Sequence, residues 1–220
     1  MNEKESNVSV AKTIPTNNVS AIPSEPAYPV ALNKEEIKKL FSLLRNEPKK
    51  VAKFEKVSLE KWKDIPDILN SSFPMSEDDL KRMIEDLRKP QRSTETSAGY
   101  DFFMPFDLHL LPGREITIPT GIRVKMNDNY VLKIYPRSGL GFEYKVRFAN
   151  TVGIIDSDYY YADNEGHIMI NISNNTTDRS LFLCKGDKFC QGIFVEYGIT
   201  VDDDEYEHAK RTGGMGSTGK

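Results

Sequence analysis

Between Ser97 and Tyr197 the chain is a succession of short runs in which apolar and polar residues alternate, separated by Gly, Pro and Asn-Asp punctuation. Ile116 and Ile118 alternate with polar neighbours, and Ile122, Val124 and Met126 do so beyond Gly121. Asp128-Asn129 supplies a turn, after which Val131 to Tyr135 resumes the extended pattern. A period of two places successive side chains on opposite faces of a pleated strand. Strands this short and this closely spaced, with no long helix between them, predict an all-β barrel or sandwich. At 220 residues, 38% of them hydrophobic, the chain can bury one sizeable core and is too short for two large domains.

The texture before Pro90 is different. Residues 1 to about 30 hold Pro15, Pro23, Pro26 and Pro29 among Asn, Ser and Thr, a composition that cannot offset its ordering entropy and predicts disorder. A helix is predicted from Asn33, with Ile37, Leu40, Phe41 and Leu44 as its apolar stripe, Asn33 and Glu36 as a capping box, and Pro48 as its stop. Ala52 to Val57 alternates as a short strand. Ser58 then caps a helical stretch with Leu59, Trp62 and Ile65 that Pro66 ends. A third helix is predicted from Ser76, with Glu77, Asp78 and Asp79 at its positive end, Leu80, Met83, Ile84 and Leu87 on one face, and Arg88 and Lys89 at its negative end. The resulting division is an N-terminal extension over 1–50, a β domain over 51–205 with a helical insertion at about 58–89, and a flexible Gly-rich arm over 206–220.

A formal net charge of -3 gives no basic patch for stable nucleic-acid binding or for an anionic membrane, although a few placed Arg residues still suit a small anionic ligand. The N-terminal stretch has no apolar run resembling a signal peptide, and no segment approaches the roughly 20 apolar residues of a spanning helix. A cytoplasmic address is expected. His109, His167 and His208 are scattered and show no ligand spacing, which argues against a metal site built on them. Cys184 and Cys190 are expected to be two buried reduced thiols, a disulfide being formally possible.

Five segments stand out from this scaffold. They are Ser97-Ala98-Gly99-Tyr100-Asp101-Phe102, Pro136-Arg137-Ser138-Gly139-Leu140-Gly141, the run from Asn150 to Tyr159 (NTVGIIDSDY), Gly186-Asp187-Lys188-Phe189-Cys190-Gln191-Gly192, and Arg211-Thr212-Gly213-Gly214-Met215-Gly216-Ser217-Thr218-Gly219. Singly, each reads as a turn, a capping carboxylate or a loose end. In this order and spacing they resemble the five motifs of the trimeric dUTPase family, over about residues 90–219 and with a first strand near Phe54.

That resemblance implies a mainly β, jelly-roll-like barrel with short N-terminal helices added, assembled as a homotrimer with shared active sites. It implies hydrolysis of dUTP to dUMP and pyrophosphate by water attacking the α-phosphorus, which limits uracil incorporation into DNA and supplies dUMP for dTTP synthesis. Asp156 matches the catalytic carboxylate and Gln191 a glutamine that reaches a phosphate and steadies the water. Asn150, Gly153 and Ile155 belong to the hairpin that reads the base, and Tyr159 to the aromatic under the deoxyribose. Arg137, Ser138 and Gly139 would hold phosphates together with Gln191. Asp101 matches the acid that holds Mg2+ through water. Arg211, Ser217 and Thr218 would contact phosphate from the closing arm, with Lys210 as the alternative to Arg211. Asp158 is left as a structural or supporting carboxylate.

The pattern departs from the family in places. Met215 stands where a ring usually covers the base; a thioether covers less area, so a looser lid and a higher Michaelis constant are expected. Tyr160 to Glu165 lengthens the loop after Tyr159, with the tyrosines either covering the pocket mouth or shielding a subunit contact. A dCTP deaminase would share the scaffold, but Asn171 stands where that family places a catalytic Glu, and an amide does not shuttle a proton. A binding or regulatory protein that contacts an unknown partner through residues 1–50 is the remaining alternative; removing that segment and measuring turnover separates the two.

Overall fold

The computed structural model describes residues 32–44, 48–63, 65, 76–211 and 213. The predicted disorder before Leu32, the arm residues Met215, Ser217 and Thr218, and the stop at Pro66 lie outside the described residues. The chain forms two compact units, 1–49 and 50–220.

The first unit contributes α1 (Lys34–Leu44). Its start is the predicted capping box: Asn33 Oδ1 accepts from the N–H groups of Glu35 and Glu36, each at 2.9 Å, while the Asn33 N–H donates to Glu36 Oε2 at 2.9 Å. Ile37, Leu40 and Phe41 are exposed.

In the second unit, β1 (Ala52–Lys56) leads into α2 (Leu59–Lys63) and then α3 (Glu77–Asp86). Ser76 caps α3, its Oγ accepting from the Asp79 N–H at 3.1 Å. Leu80 and Met83 face inward, as their spacing predicts. The helix closes at Leu87, so Arg88 and Lys89 lie beyond it rather than in its last turn, and Arg88 instead lies 3.9 Å over the Phe103 ring.

The β strands follow as β2 (Gln91–Arg92), β3 (Tyr100–Phe103), β4 (Leu108–Leu110), β5 (Glu115–Pro119), β6 (Ile122–Met126), β7 (Tyr130–Pro136), β8 (Arg147–Phe148), β9 (Gly153–Ile155), β10 (Met169–Ser173), β11 (Leu181–Leu183) and β12 (Lys188–Glu196). They pair as the sheets β2-β3-β12-β7-β9, β5-β10-β8, β1-β6 and β11-β4, all antiparallel, in a mainly β, jelly-roll-like fold. Phe102, Ile118, Ile122, Leu132, Ile134, Ile168, Ile172, Leu181 and Phe189 fill the core. Trp62 joins them, so the helical insertion is packed into the barrel and is not an appendage.

Two further details differ from the sequence expectation. Residues Ser138–Tyr144 form a helix, α4, despite glycines at 139 and 141, and Lys145 ends it in the left-handed conformation (φ 53°) with its N–H on Leu140 O. Both cysteines are free, but only Cys190 is buried; Cys184 follows β11 at the surface.

Candidate functional site

The hairpin formed by β7 and β9 builds one half of the site. Gly153 pairs with the fully buried Ile134 and Ile155 with the fully buried Leu132, which fixes the chain just before Asp156 against the core of the large sheet. Gly153 is tight against that strand, since a Cβ there would sit 3.3 Å from Ile134 Cβ. Before it, Thr151 takes a left-handed turn (φ 65°) and the Val152 N–H donates to Asn150 O at 2.7 Å. These constraints open a cavity of about 410 Å³, whose lining includes Asn150, Gly153, Ile155, Asp156, Tyr159 and Arg211. Asn171 also lines it, its Nδ2 donating to Thr117 Oγ1 at 3.1 Å.

Asp156 precedes a 3-10 turn over Ser157–Tyr161, which brings Tyr159 under the same cavity. The Tyr159 hydroxyl is fully occupied: it donates to His167 O at 2.8 Å and accepts from Asn164 Nδ2 at 2.7 Å. Burial raises the phenol's pKa. Only the ring, therefore, is left to face a ligand. Arg211 reaches into the cavity with Nη2 2.7 Å from Asp156 Oδ2 and Nε 2.8 Å from Asp158 Oδ1, and its guanidinium carbon lies 5.8 Å from the Tyr159 ring centre. The structure thus puts Arg211 on carboxylates, and leaves Lys210 exposed.

The lengthened loop after Tyr159 turns away from the cavity. Tyr160 donates to Glu55 Oε2 at 2.7 Å and lies under the Arg123 guanidinium, while Tyr161 is exposed. Hydrogen bonds from Lys53 and then Tyr160 lower the Glu55 pKa to about 2.

A second cluster gathers residues from the other segments on neighbouring strands. β12 lies between β3 and β7, with Gln191 opposite Asp101 on one side and Tyr135 on the other. Gln191 crosses directly over Gly99, where a Cβ would fall 2.7 Å from Gln191 Oε1, so only glycine leaves that amide its place. Asp101 is buried; Lys188 Nζ lies 2.9 Å and the Ser93 hydroxyl 2.5 Å from Oδ2, while Arg137 Nε approaches Oδ1 at 3.4 Å. Burial alone would raise the Asp101 pKa; Ser93, Lys188 and Arg137 outweigh it and hold the carboxyl below its usual value. Ser138 and Gly139 follow Arg137 at the surface, with open space beyond Gly139.

Lys188 and Ser93 are members of this cluster that periodicity does not single out. Lys188 sits within the fourth segment, and its alternation with Cys190 is interrupted by a bulge in the β3–β12 pairing. Among the described residues, Asp101, Arg137, Ser138, Gly139 and Gln191 do not line the Asp156 cavity, so the two clusters are distinct.

The dUTPase family profile matches residues 85–219. The chain is 40% identical over 131 residues to the deoxyuridine 5'-triphosphate nucleotidohydrolase of Lactococcus lactis subsp. lactis, covering 59% of this chain and 87% of that protein. It is 33% identical over 148 residues to the enzyme of the same name from Dictyoglomus turgidum, covering 64% and 96% respectively. The solved structure of Staphylococcus bacteriophage 80alpha dUTPase with dUPNHPP superimposes with a TM-score of 0.50 at 20% identity, over 78% of this chain and 100% of the phage chain, a likeness of fold.

Proposed function

The chain belongs to the dUTPase family, and on that premise we propose how its residues hydrolyse dUTP to dUMP and pyrophosphate. The observation that carries the assignment of roles is the Asp156 cavity: a carboxylate, a backbone hairpin and a buried aromatic ring converge on a space of nucleoside size.

The hairpin from Asn150 to Ile155 reads uracil through its backbone groups, with Asn150 beside the base. Tyr159 underlies the deoxyribose. Because its hydroxyl already has both partners, a 2′-hydroxyl would meet ring carbon and lose its water without replacement. Asp156 accepts a hydrogen bond from the sugar 3′-OH and from the water aimed at the α-phosphorus, which it aligns and relieves of a proton. For this the nucleoside displaces Arg211, whose guanidinium then turns to the phosphates together with Ser217 and Thr218 of the arm, while Met215 covers the base.

Arg137 supplies a guanidinium fork to the phosphates, Ser138 a hydroxyl, Gly139 close backbone approach, and Gln191 an amide for a phosphate oxygen and the attacking water. Magnesium fits this cluster. Asp101 Oδ2 is taken by Lys188 and Ser93, but among the described residues Oδ1 has only the long Arg137 contact and keeps room to accept from an ion-bound water. Among the described residues no group of three or more His, Cys, Asp or Glu forms a cage, which suits a hard ion whose other ligands are phosphate oxygens and water. When bound, Mg2+ neutralises charge on the leaving pyrophosphate.

The separation of the two half-sites supports assembly as a homotrimer in which the Asp156 cavity of one copy faces the Arg137–Gln191 cluster of another. Asn171 lies in the cavity wall as an amide, which does not favour deamination.

Pyrophosphate release from dUTP, dCTP, dTTP and UTP, each with magnesium and with EDTA, tests this reading. Fast magnesium-dependent release from dUTP alone is expected. Equal release from all four would remove the base and sugar assignments.

A further inference from the structure

Residues 58–63 lie ahead of the stretch that the family profile matches, yet they press on the loop that carries Tyr159. Trp62 is fully buried, with its indole centre 5.3 Å from that of His167. It occupies the notch made by Gly121, where a Cβ would come within 2.4 Å of Trp62 Cζ2. His167 is itself pinned there, its Nε2 accepting from the Gly121 N–H at 2.8 Å, and its carbonyl is the acceptor of the Tyr159 hydroxyl. The contact thus runs from the insertion through one imidazole to the ring in the cavity.

A second tie is polar. The Ser58 N–H donates to Glu165 Oε2 at 2.9 Å. Glu165 holds a left-handed backbone (φ 58°), and Gly166 after it sits so close to the tyrosine that a Cβ would lie 2.6 Å from Tyr159 O. Fixing Glu165 therefore fixes the backbone behind Tyr159. Burial would raise the Glu165 pKa, but the hydrogen bonds from Ser58, with the charges of Arg123 and Lys61, outweigh it and hold the carboxyl below its usual value.

We propose that Ser58 and Trp62 act as a brace on the Tyr159 loop, so that rejection of a 2′-hydroxyl in this protein depends on the helical insertion. Trp62, Glu165 and Ser58 are positioning residues; they touch neither cavity nor substrate. Steric exclusion works only while the excluding ring cannot retreat, and a shift on the order of 1 Å is enough to relax it. The neighbouring Tyr160 is tied separately, to Glu55 of β1 through its hydroxyl and to Arg123 of β6 through its ring. The proposal rests on Tyr159 underlying the sugar.

The test is kcat/KM for dUTP and for UTP in the full-length protein and in Glu165→Ala, Glu165→Gln, Trp62→Phe and Tyr159→Leu, with a melting temperature for each. Glu165→Ala and Trp62→Phe are expected to lower the dUTP-to-UTP selectivity by about tenfold. The change should appear mainly as a lower KM for UTP, with kcat for dUTP kept. Glu165→Gln retains an acceptor for the Ser58 N–H and should retain selectivity. If Tyr159→Leu loses selectivity while Glu165→Ala and Trp62→Phe keep that of the wild type, even with lowered melting temperatures, the brace is wrong and the sugar subsite stands. If Tyr159→Leu itself keeps selectivity, the sugar subsite fails and the brace with it. Should Trp62→Phe not fold, Glu165→Ala alone carries the decision, because its side chain is only partly buried.

Discussion

Arg211 bridges two carboxylates at the cavity: its Nη2 lies 2.7 Å from Asp156 Oδ2, and the same guanidinium grips Asp158 Oδ1 through Nε at 2.8 Å. A nucleoside entering the cavity competes with this contact, because Arg211 lines the same space. Asp158→Asn should loosen Arg211 and leave Asp156 intact. Binding of dUMP, followed by calorimetry, is expected to tighten by about two- to fivefold, the worth of a half-exposed ion pair. Binding weakened tenfold or more would instead place Asp158 on the ligand.

The two half-sites make a prediction about mixed assemblies. Asp156→Asn and Arg137→Ala chains should each be nearly inactive alone. Co-expressed, random pairing at shared sites should restore about a quarter of wild-type turnover, since one copy supplies Asp156 and another Arg137. Co-expressed chains that stay as inactive as the separate variants would mean that each site is built within one chain.

His167 gives the protein a pH dependence away from the chemistry. Burial lowers its pKa to about 4, against 6.5 for a free imidazole. Between those values the unfolded chain binds the proton and the folded one does not, so stability falls as pH drops from 6.5 towards 4 and is indifferent to this group above 6.5. Going from pH 7 to pH 5 should cost about 2 kcal/mol through His167. His167→Gln, which can still accept from Gly121, should remove most of that dependence in thermal melts; an unchanged pH slope would show that His167 is not its source.

Gly121 and Gly113 share a left-handed backbone (φ +69° and +70°) but not their surroundings. An added Cβ at Gly121 would meet Trp62 and Leu87 at 2.4 and 2.5 Å, whereas at Gly113 nothing lies within 4 Å. Gly113→Ala should cost about 1 kcal/mol for the backbone alone. Gly121→Ala should cost about 2–4 kcal/mol in total, because overpacking adds to it. Equal melting temperatures for the two variants would contradict the seating of Trp62 on Gly121.

What was legible in the sequence was local. The Asn33 and Ser76 caps are set by residues three positions apart, and the strands over 115–119, 122–126 and 130–136 by a period of two. Helix α4 was not legible, because two glycines occupy its interior and Arg137 offers no side-chain cap. The partners of Tyr160 and Glu165 were invisible for a different reason: Glu55 and Ser58 lie 105 and 107 residues away, a proximity that only the tertiary fold creates. Lys188 joined Asp101 through the same kind of register, past a bulge that no periodicity announces. The site motifs themselves could be read as a set because their order along the chain is retained, while the separation of their side chains into two clusters belongs to the fold.

The central assignment is Asp156 as the group that aligns and deprotonates the attacking water, and pyrophosphate release from dUTP by Asp156→Asn tests it most directly. Turnover is expected to fall by on the order of 10²–10⁴, the usual worth of a positioned base. Turnover near the wild-type value would contradict the assignment.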